Sequence, residues 1–452
     1  MRKELVLNGF HMNAVTHMYD GGWRNPDDRQ IEFSQLEFWQ DVARTLERGF
    51  FDNIFFADAM GSDPAYNNDW SIYPRQGIHF PCHDPLAVAA ALIATTEHIG
   101  LTFTSGVVQD PPFNFAKRIS TLDHLSRGRI GWNIVTGHIE NGFRNLGFDG
   151  MLPHDERYAR AEEYMEVVYK LWEGSWEDDA VIADKAAGVY ADAERIHKIN
   201  HAGEYYRVEG PHIVTPSPQR TPVLFQAGSS TAGRAFAARH AEGAFVLCLH
   251  PAAMRTASAK MKPLLEAEGR SLDDLVMVQG MSFVVGSTEE EAKRKAAELD
   301  QYLDTEVLKA RVSRDLGIDL GGVQADQPLD TIKTDYVQGI ITLLQEAVPD
   351  GRPKVRDLPM LYSVRVVGTP EQIADELQVW QDAGMGGINV AAQAVPGTIA
   401  EFVDHVVPVL QKRGLAKREY APGTLREKLF PGRPARLEGT HPGASYRRVH
   451  AN

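Results

Sequence analysis

The stretch PVLFQAGSSTAGRAFAARHAEGAFVLCL, residues 222–249, reads in order as strand, turn, helix and strand. Residues 222–227 form a short apolar run, 228–230 are small turn residues, 234–242 carry apolar residues at helical spacing, and 243–249 form a second apolar run. Two parallel strands need a helical crossover of this kind, so the stretch is a βα unit. The pattern recurs along the chain. Apolar runs at 4–10, 53–57, 100–105, 129–136, 275–285 and 387–391 bring the strand count to eight, which predicts an α/β fold, a closed TIM (β/α)8 barrel.

Helices are expected between these runs. The one opening near His154 carries Tyr158, Ala161, Met165, Val168 and Trp172 as an apolar stripe. Ser287 with Glu290 predicts a capping box, and Thr369, Pro370 and Gln372 give an N-cap, an N1 proline and an N3 partner. Two intervals, 176–220 and 300–359, are too long for simple connections and are expected to be insertions, the second a lid. The reading is therefore one barrel domain over 1–413 with insertions, followed by a C-terminal arm over 414–452. That arm is rich in Arg, Lys, Gly and Pro. It is either a loosely ordered tail or a wrap around a neighbouring subunit.

Composition narrows the function classes. With 452 residues, 43% hydrophobic and 24% charged, the chain can bury a large core without disulfides or structural metal. A net charge of -14 argues against a nucleic-acid partner. Cys82 and Cys248 cannot make a disulfide framework, the N-terminal residues lack the apolar core of a signal peptide, and no run is long enough to span a bilayer. The expected location is the cytoplasm.

In such a barrel the site forms at the C-terminal ends of the strands. The polar residues there are His11, Asn13, Thr16 and His17 after the first strand, Asp58 after the second, and Thr104 and Ser105 in the third, which ends near Gly106. The fourth supplies Asn133, Thr136, Gly137 and His138. The fifth supplies Gln226, Ala227, Gly228, Ser229 and Ser230. Small residues at a helix start leave N–H groups for an anion, so 227–230 reads either as a phosphate cradle or simply as a cap. His154 and Tyr158 lie four apart on one helix face and could hold the same phosphate; alternatively, one is a cap and the other core. His79, Cys82 and His83 are a weak metal signal without a second ligand pair, so no metal is expected. Gly-x-Ser-x-Gly, Walker and Gly-x-Gly-x-x-Gly motifs are missing from the sequence.

Longer blocks carry a resemblance. GGWR at 21–24, ARTLERGFFD at 43–52, STLDHLSRGRIGWNIVTG at 120–137, HDERYARAEEYMEVVYKLWEGSWEDDAV at 154–181 and SPQRTPVLFQAGSS at 217–230 occur in this order. VVGTPEQIADEL at 366–377, FVDHVVPVLQKRG at 402–414 and TLREKLF at 424–430 follow. Across nearly its whole length the chain resembles the flavin-dependent monooxygenases of the bacterial-luciferase-like superfamily. The similar branch contains the nitrilotriacetate, EDTA, dibenzothiophene-sulfone, dimethyl-sulfide and long-chain alkane enzymes.

The resemblance implies FMN as cofactor, used as FMNH2 from a separate NAD(P)H-dependent flavin reductase, with O2 as co-substrate and a C4a-peroxyflavin delivering one oxygen atom. The implied substrate is a small organosulfur, amine or alkyl compound. It places Asp58, Thr104 and Gly137 by the flavin ring and ribityl chain, and His154, Tyr158, Ala227, Gly228, Ser229 and Ser230 at the phosphate. His17 and His138 are the catalytic candidates, and a homodimer or homotetramer is implied. Departures are also visible. Ala14 replaces a cysteine of the alkane enzyme, Asp63 a pocket tyrosine and Arg311 an insertion histidine, while Gly106 stands where relatives carry Ser or Thr. With Asn67, Asn68, Asp69 and His79, these changes predict a polar entrance and a smaller or partly polar substrate. The alternatives are an F420-dependent oxidoreductase of the same fold and a flavin-binding protein without catalysis.

Overall fold

The computed structural model describes residues 4–448 apart from 229, 332–343, 346–347, 349 and 362. Strands β1 (Val6–Met12), β2 (Asn53–Ala57), β3 (Gly100–Gly106) and β4 (Ile130–Val135) pair in sequence. Two antiparallel pairs follow in the 176–220 insertion, β5 (Val181–Asp184) with β6 (Val189–Ala191) and β7 (His201–Ala202) with β8 (Arg207–Val208). The large sheet resumes with β9 (Val223–Ala227), β10 (Gly243–Val246), β11 (Val276–Val285), β12 (Val364–Gly368) and β13 (Gly387–Ala391). Parallel pairing runs β1-β2-β3-β4-β9-β10-β11-β13 and returns to β1, closing an eight-stranded barrel. This is the expected TIM barrel. β12 was not among the expected strands; it pairs with the end of β11, from Met281 to Val285, which overshoots the barrel.

The barrel interior holds a ladder of side-chain amides. Asn8 donates to Asn389, Asn53 to Asn8, and Thr102 to Asn53. Below it the strand starts are stoppered. Leu425, Leu429 and Phe430 pack with Val6, Phe55, Val223, Phe225, Val276 and Val278 in one buried cluster. The chain beyond Gly414 therefore folds onto its own barrel instead of trailing as a loose tail. Its helix Leu425–Leu429 is opened by a Thr424–Glu427 capping box. Arg426, only 1% exposed, bonds both Glu242 carboxylate oxygens at 2.6 and 2.9 Å and the carbonyls of Thr221, Pro222 and Ala435.

The Thr369–Gln372 capping box is present. The other shifts by one residue. Thr288 caps the helix Glu289–Asp300 by accepting from the Glu291 N–H, and Ser287 bonds the Glu291 carboxylate instead of Glu290. Within 300–359 a helix, Thr305–Leu316, sets Arg311 against the His17 carbonyl and Asp20; residues 332–343, 346–347 and 349 of the expected lid lie outside the described residues. Among the described residues no helix is long and apolar enough to cross a membrane.

Replacing Arg426 with Ala leaves Glu242 buried without its cation, a change that typically costs about 3 to 5 kcal/mol. Urea unfolding should show a loss of that size. A loss below about 1 kcal/mol would mean that the stopper does not depend on this pair.

Candidate active site at the strand ends

The ends of β2, β3 and β4 open on one cavity, lined by Asp58, Thr104, Gly106, Gln109, Gly137 and His138 among others. Five residues singled out from sequence, Asp58, Thr104, Gly106, Gly137 and His138, thus share a wall. Thr104 donates to the Phe56 carbonyl and accepts from Asn133, which fixes its hydroxyl at the rim. Asp58 accepts from the Ala59 N–H at 2.9 Å and from Gln109 at 3.3 Å, while burial pushes its carboxyl pKa up. Gly137 has φ +79°, a conformation that suits glycine, and Phe143 lies against its Cα. A Cβ at Gly106 would meet only ordinary contacts at 3.5 Å and beyond, so there is room for a larger residue. The neighbouring Ser105 hydroxyl donates to Gln109.

The second group lies at the end of β9 and the start of the helix Thr231–His240. Ser230 is that helix's N-cap, accepting from the Gly233 N–H at 3.0 Å. His154 and Tyr158, on the helix His154–Tyr169, face it: His154 Nε2 is 3.3 Å from Ser230 Oγ, and the two rings are 5.1 Å apart. The His154 Nδ1–H donates to the Asp155 carboxylate. Gly228 and Gly233 make the cradle. A Cβ on Gly233 would stand 2.8 Å from the Tyr158 hydroxyl and 3.0 Å from the Gly228 Cα, so only glycine leaves this space open. Ala227 ends β9 beside them, and Ser229 lies outside the described residues. Arg157, between His154 and Tyr158, donates to the Gly137 carbonyl and joins the two groups. Neither Arg157 nor Gln109 was picked out from sequence. Arg157 sits inside the HDERY block, which is a usable signal; Gln109 has none.

His17 belongs to neither group. It lines a small neighbouring cavity with Phe10, Tyr19, Trp23 and Gln393. Its Nδ1 faces the Phe10 carbonyl at 3.3 Å; a carbonyl only accepts, so Nδ1 carries the proton and Nε2 offers a lone pair. Burial, then Arg311 and His11, hold its pKa well below 6.5. His79 is fixed the other way. Arg314 donates to its Nδ1 at 3.0 Å, and its Nε2–H donates to the His17 carbonyl at 2.8 Å. Burial and both arginines keep it neutral. Arg314 also pairs with Asp315 at 2.7 Å. His138 stands on the open side of its cavity; desolvation lowers its pKa, with Asp315 opposing and Arg314 adding to the drop.

The polar groups expected at the entrance are engaged with the protein. Arg311 is buried against Asp20 at 2.9 Å, Asp63 accepts from the Asn141 N–H and Arg144, Asp69 accepts from Ser71, and the Asn67 N–H donates to Asp319. Asp20 Oδ1 is buried without a partner among the described residues. Cys82 lies on a backbone bridge opposite Ala14, and burial pushes its thiol up to about 12. Among the described residues no three His, Cys, Asp or Glu side chains are placed to hold a metal ion.

The luciferase-like monooxygenase family model matches residues 20–386, most of the barrel and all residues of the two rim groups described above. The chain belongs to that family. Dimethyl-sulfide monooxygenase of Hyphomicrobium sulfonivorans is 41% identical over 99% of this chain and 94% of its own length. The crystal structure of DmoA from that organism superposes with a TM-score of 0.93, covering 99% of this chain and 96% of that one. Long-chain alkane monooxygenase of Geobacillus thermodenitrificans is 38% identical over 100% of both chains. A riboflavin lyase, crystallised with modified FMN and riboflavin, is 36% identical with a TM-score of 0.87 over 98% of this chain and 99% of that one.

For this luciferase-like monooxygenase, nitrogen-detected NMR of 15N-histidine protein should show His17 as the Nδ1–H tautomer and His79 as the Nε2–H tautomer. Both should stay neutral from pH 7.5 down to 5.5. Protonation of either with a midpoint near 6.5 would contradict the hydrogen-bond assignment.

Proposed function

We propose that the protein is a two-component, FMN-dependent monooxygenase that takes reduced FMN from a separate NAD(P)H-dependent flavin reductase and inserts one atom of O2 into a small organic substrate. The observation that carries this reading is the Arg157 bond to the Gly137 carbonyl, which ties an anion cradle to a cavity at the same barrel rim. The residues fit a flavin phosphate and ribityl chain. The glycine pair leaves backbone within reach of an anion, Tyr158 and Ser230 supply hydroxyl donors, and the helix Thr231–His240 presents its positive end.

Reduced FMN, when bound, supplies the electrons that divide O2 between product and water. The remaining tasks fall to side chains. Asp58 and Thr104 orient the ring against the β2 and β3 ends. His138 on the open side and His17 at the rim handle protons: neutral His17 accepts one at Nε2, and uncharged His138 can donate or accept. The helix Thr305–Leu316, locked by the Arg311–Asp20 pair, screens the rim from water. The chain works in the cytoplasm as a homodimer or homotetramer.

Anaerobic titration should show Ser230→Ala and Tyr158→Phe each weakening reduced FMN by about 10-fold or more, the loss of a hydrogen bond to a charged group worth about 1.5 to 3 kcal/mol. Unchanged affinity in both would refute the cradle. His138→Ala should keep flavin affinity but divert O2 to hydrogen peroxide, measured as the ratio of peroxide to product. Turnover with F420 in the strict absence of O2 would replace this reading with the hydride-transfer one.

A further inference from the structure

Gln109 stands in the turn that follows β3, where its backbone N–H donates to the Gly106 carbonyl at 3.0 Å. Its side chain lines the cavity that Asp58 and Thr104 share. There the amide makes three hydrogen bonds. Oε1 accepts from the Ser105 hydroxyl at 2.9 Å and from the Gly106 N–H, and Nε2 donates to Asp58 Oδ2 at 3.3 Å. A backbone N–H only donates, so the Gly106 bond fixes which end of the amide is the oxygen and obliges Nε2 to face the carboxylate.

Asp58 is held on both of its oxygens. Oδ1 takes the Ala59 N–H at 2.9 Å, with the Cys82 thiol at 3.7 Å, and Oδ2 takes Gln109. Burial favours the protonated acid and the Asp84 charge acts with it, while the Ala59 and Gln109 bonds oppose both by favouring the carboxylate. A Cβ on Gly106 would have the Gln109 amide carbon and oxygen 3.6 Å away, with no other side chain nearer. Gln109 therefore supplies the polar group on a flank where residue 106, as glycine, supplies none.

We propose that Gln109 is a positioning residue for Asp58: bonded to β3 at one end of its amide and to the carboxylate at the other, it clamps the ends of β2 and β3 together and holds Asp58 as a fixed acceptor toward the flavin ring. The clamp rests on the proposed function only for what Asp58 receives; its hydrogen bonds belong to the chain itself. A plain turn-capping role would use Oε1 alone. The two roles part at Nε2, because only the clamp needs a donor there.

Gln109→Glu separates them. It keeps an oxygen for Ser105 and Gly106 but turns an acceptor toward Asp58, and two carboxylates in contact repel when both are ionised. In the full-length protein, FMN affinity should fall at least about 5-fold at about pH 8, the loss of roughly one hydrogen bond. The gap between wild type and variant should narrow toward about pH 6, because a proton shared between the two carboxyls restores the donor. A smaller loss, or a gap that does not narrow as the pH falls, would overturn the clamp. Gln109→Leu tests the same bond without flavin. Carbon-detected NMR of protein labelled at the aspartate carboxyl carbons, with the Asp58 signal identified by Asp58→Asn, should show Asp58 titrating at higher pH than in the wild type, since a bond that favoured the carboxylate is gone. An unmoved or lowered midpoint contradicts the proposal. The two readings fail separately. Wild-type protein that binds no FMN would sink the flavin assignment and leave the Asp58 titration to decide the clamp, whereas an unmoved Asp58 midpoint with FMN binding intact would sink only the clamp.

Discussion

A parallel sheet has no tolerable edge here, and the closing of β1 on β13 and β10 on β11 is the constraint on which the rest depends. Every interior strand then has its backbone groups paired on both sides. Because all eight barrel strands run the same way, closure also gathers their C-terminal ends on one rim and their starts on the other. The starts are sealed by Leu425, Leu429 and Phe430 from the last segment of the chain. Asp58, Thr104, Gly137 and Gly228 all stand at the opposite rim, Thr104 near the end of β3 and the others just after β2, β4 and β9, although up to 170 residues separate them in sequence.

Over that rim lies a layer of buried charge. Arg311 fastens the helix Thr305–Leu316 to the loop after β1 through Asp20 and the His17 carbonyl, and Arg314, paired with its neighbour Asp315, reaches His79. Buried pairs of this kind add little net stability, since desolvation offsets much of their attraction, but they tolerate few alternative arrangements. Here they also set proton positions. Arg314 can only donate, so His79 must accept at Nδ1, and burial, reinforced by Arg314 and Arg311 beside His79 and by Arg311 and His11 beside His17, keeps both rings uncharged.

Much of this was legible in the sequence, for definable reasons. Barrel strands buried on both faces show as uninterrupted apolar runs, and small residues beside a helix start mark 228–230 as a place where backbone can meet an anion. β12 was not legible as a strand because it pairs only with the overshoot of β11, outside the barrel. The stopper helix, five residues long, is too short to show a period, and its central Arg426 reads as solvent-facing until Glu242 is seen against it. The partners of the polar residues were not legible either: composition counts Asp63, Arg311 and Asp69 as polar, while only geometry shows them bonded to Asn141, Asp20 and Ser71.

The central claim is that the rim seats a phosphorylated flavin between the cradle of Gly228, Ser230, Gly233 and Tyr158 and the cavity of Asp58, Thr104 and Gly137. A crystal structure of the protein with FMN tests it most directly. The account predicts phosphate density within hydrogen-bond distance of the Tyr158 and Ser230 hydroxyls, with the ring beside Asp58. Phosphate density anywhere else, or a ring on another face of the barrel, would contradict it.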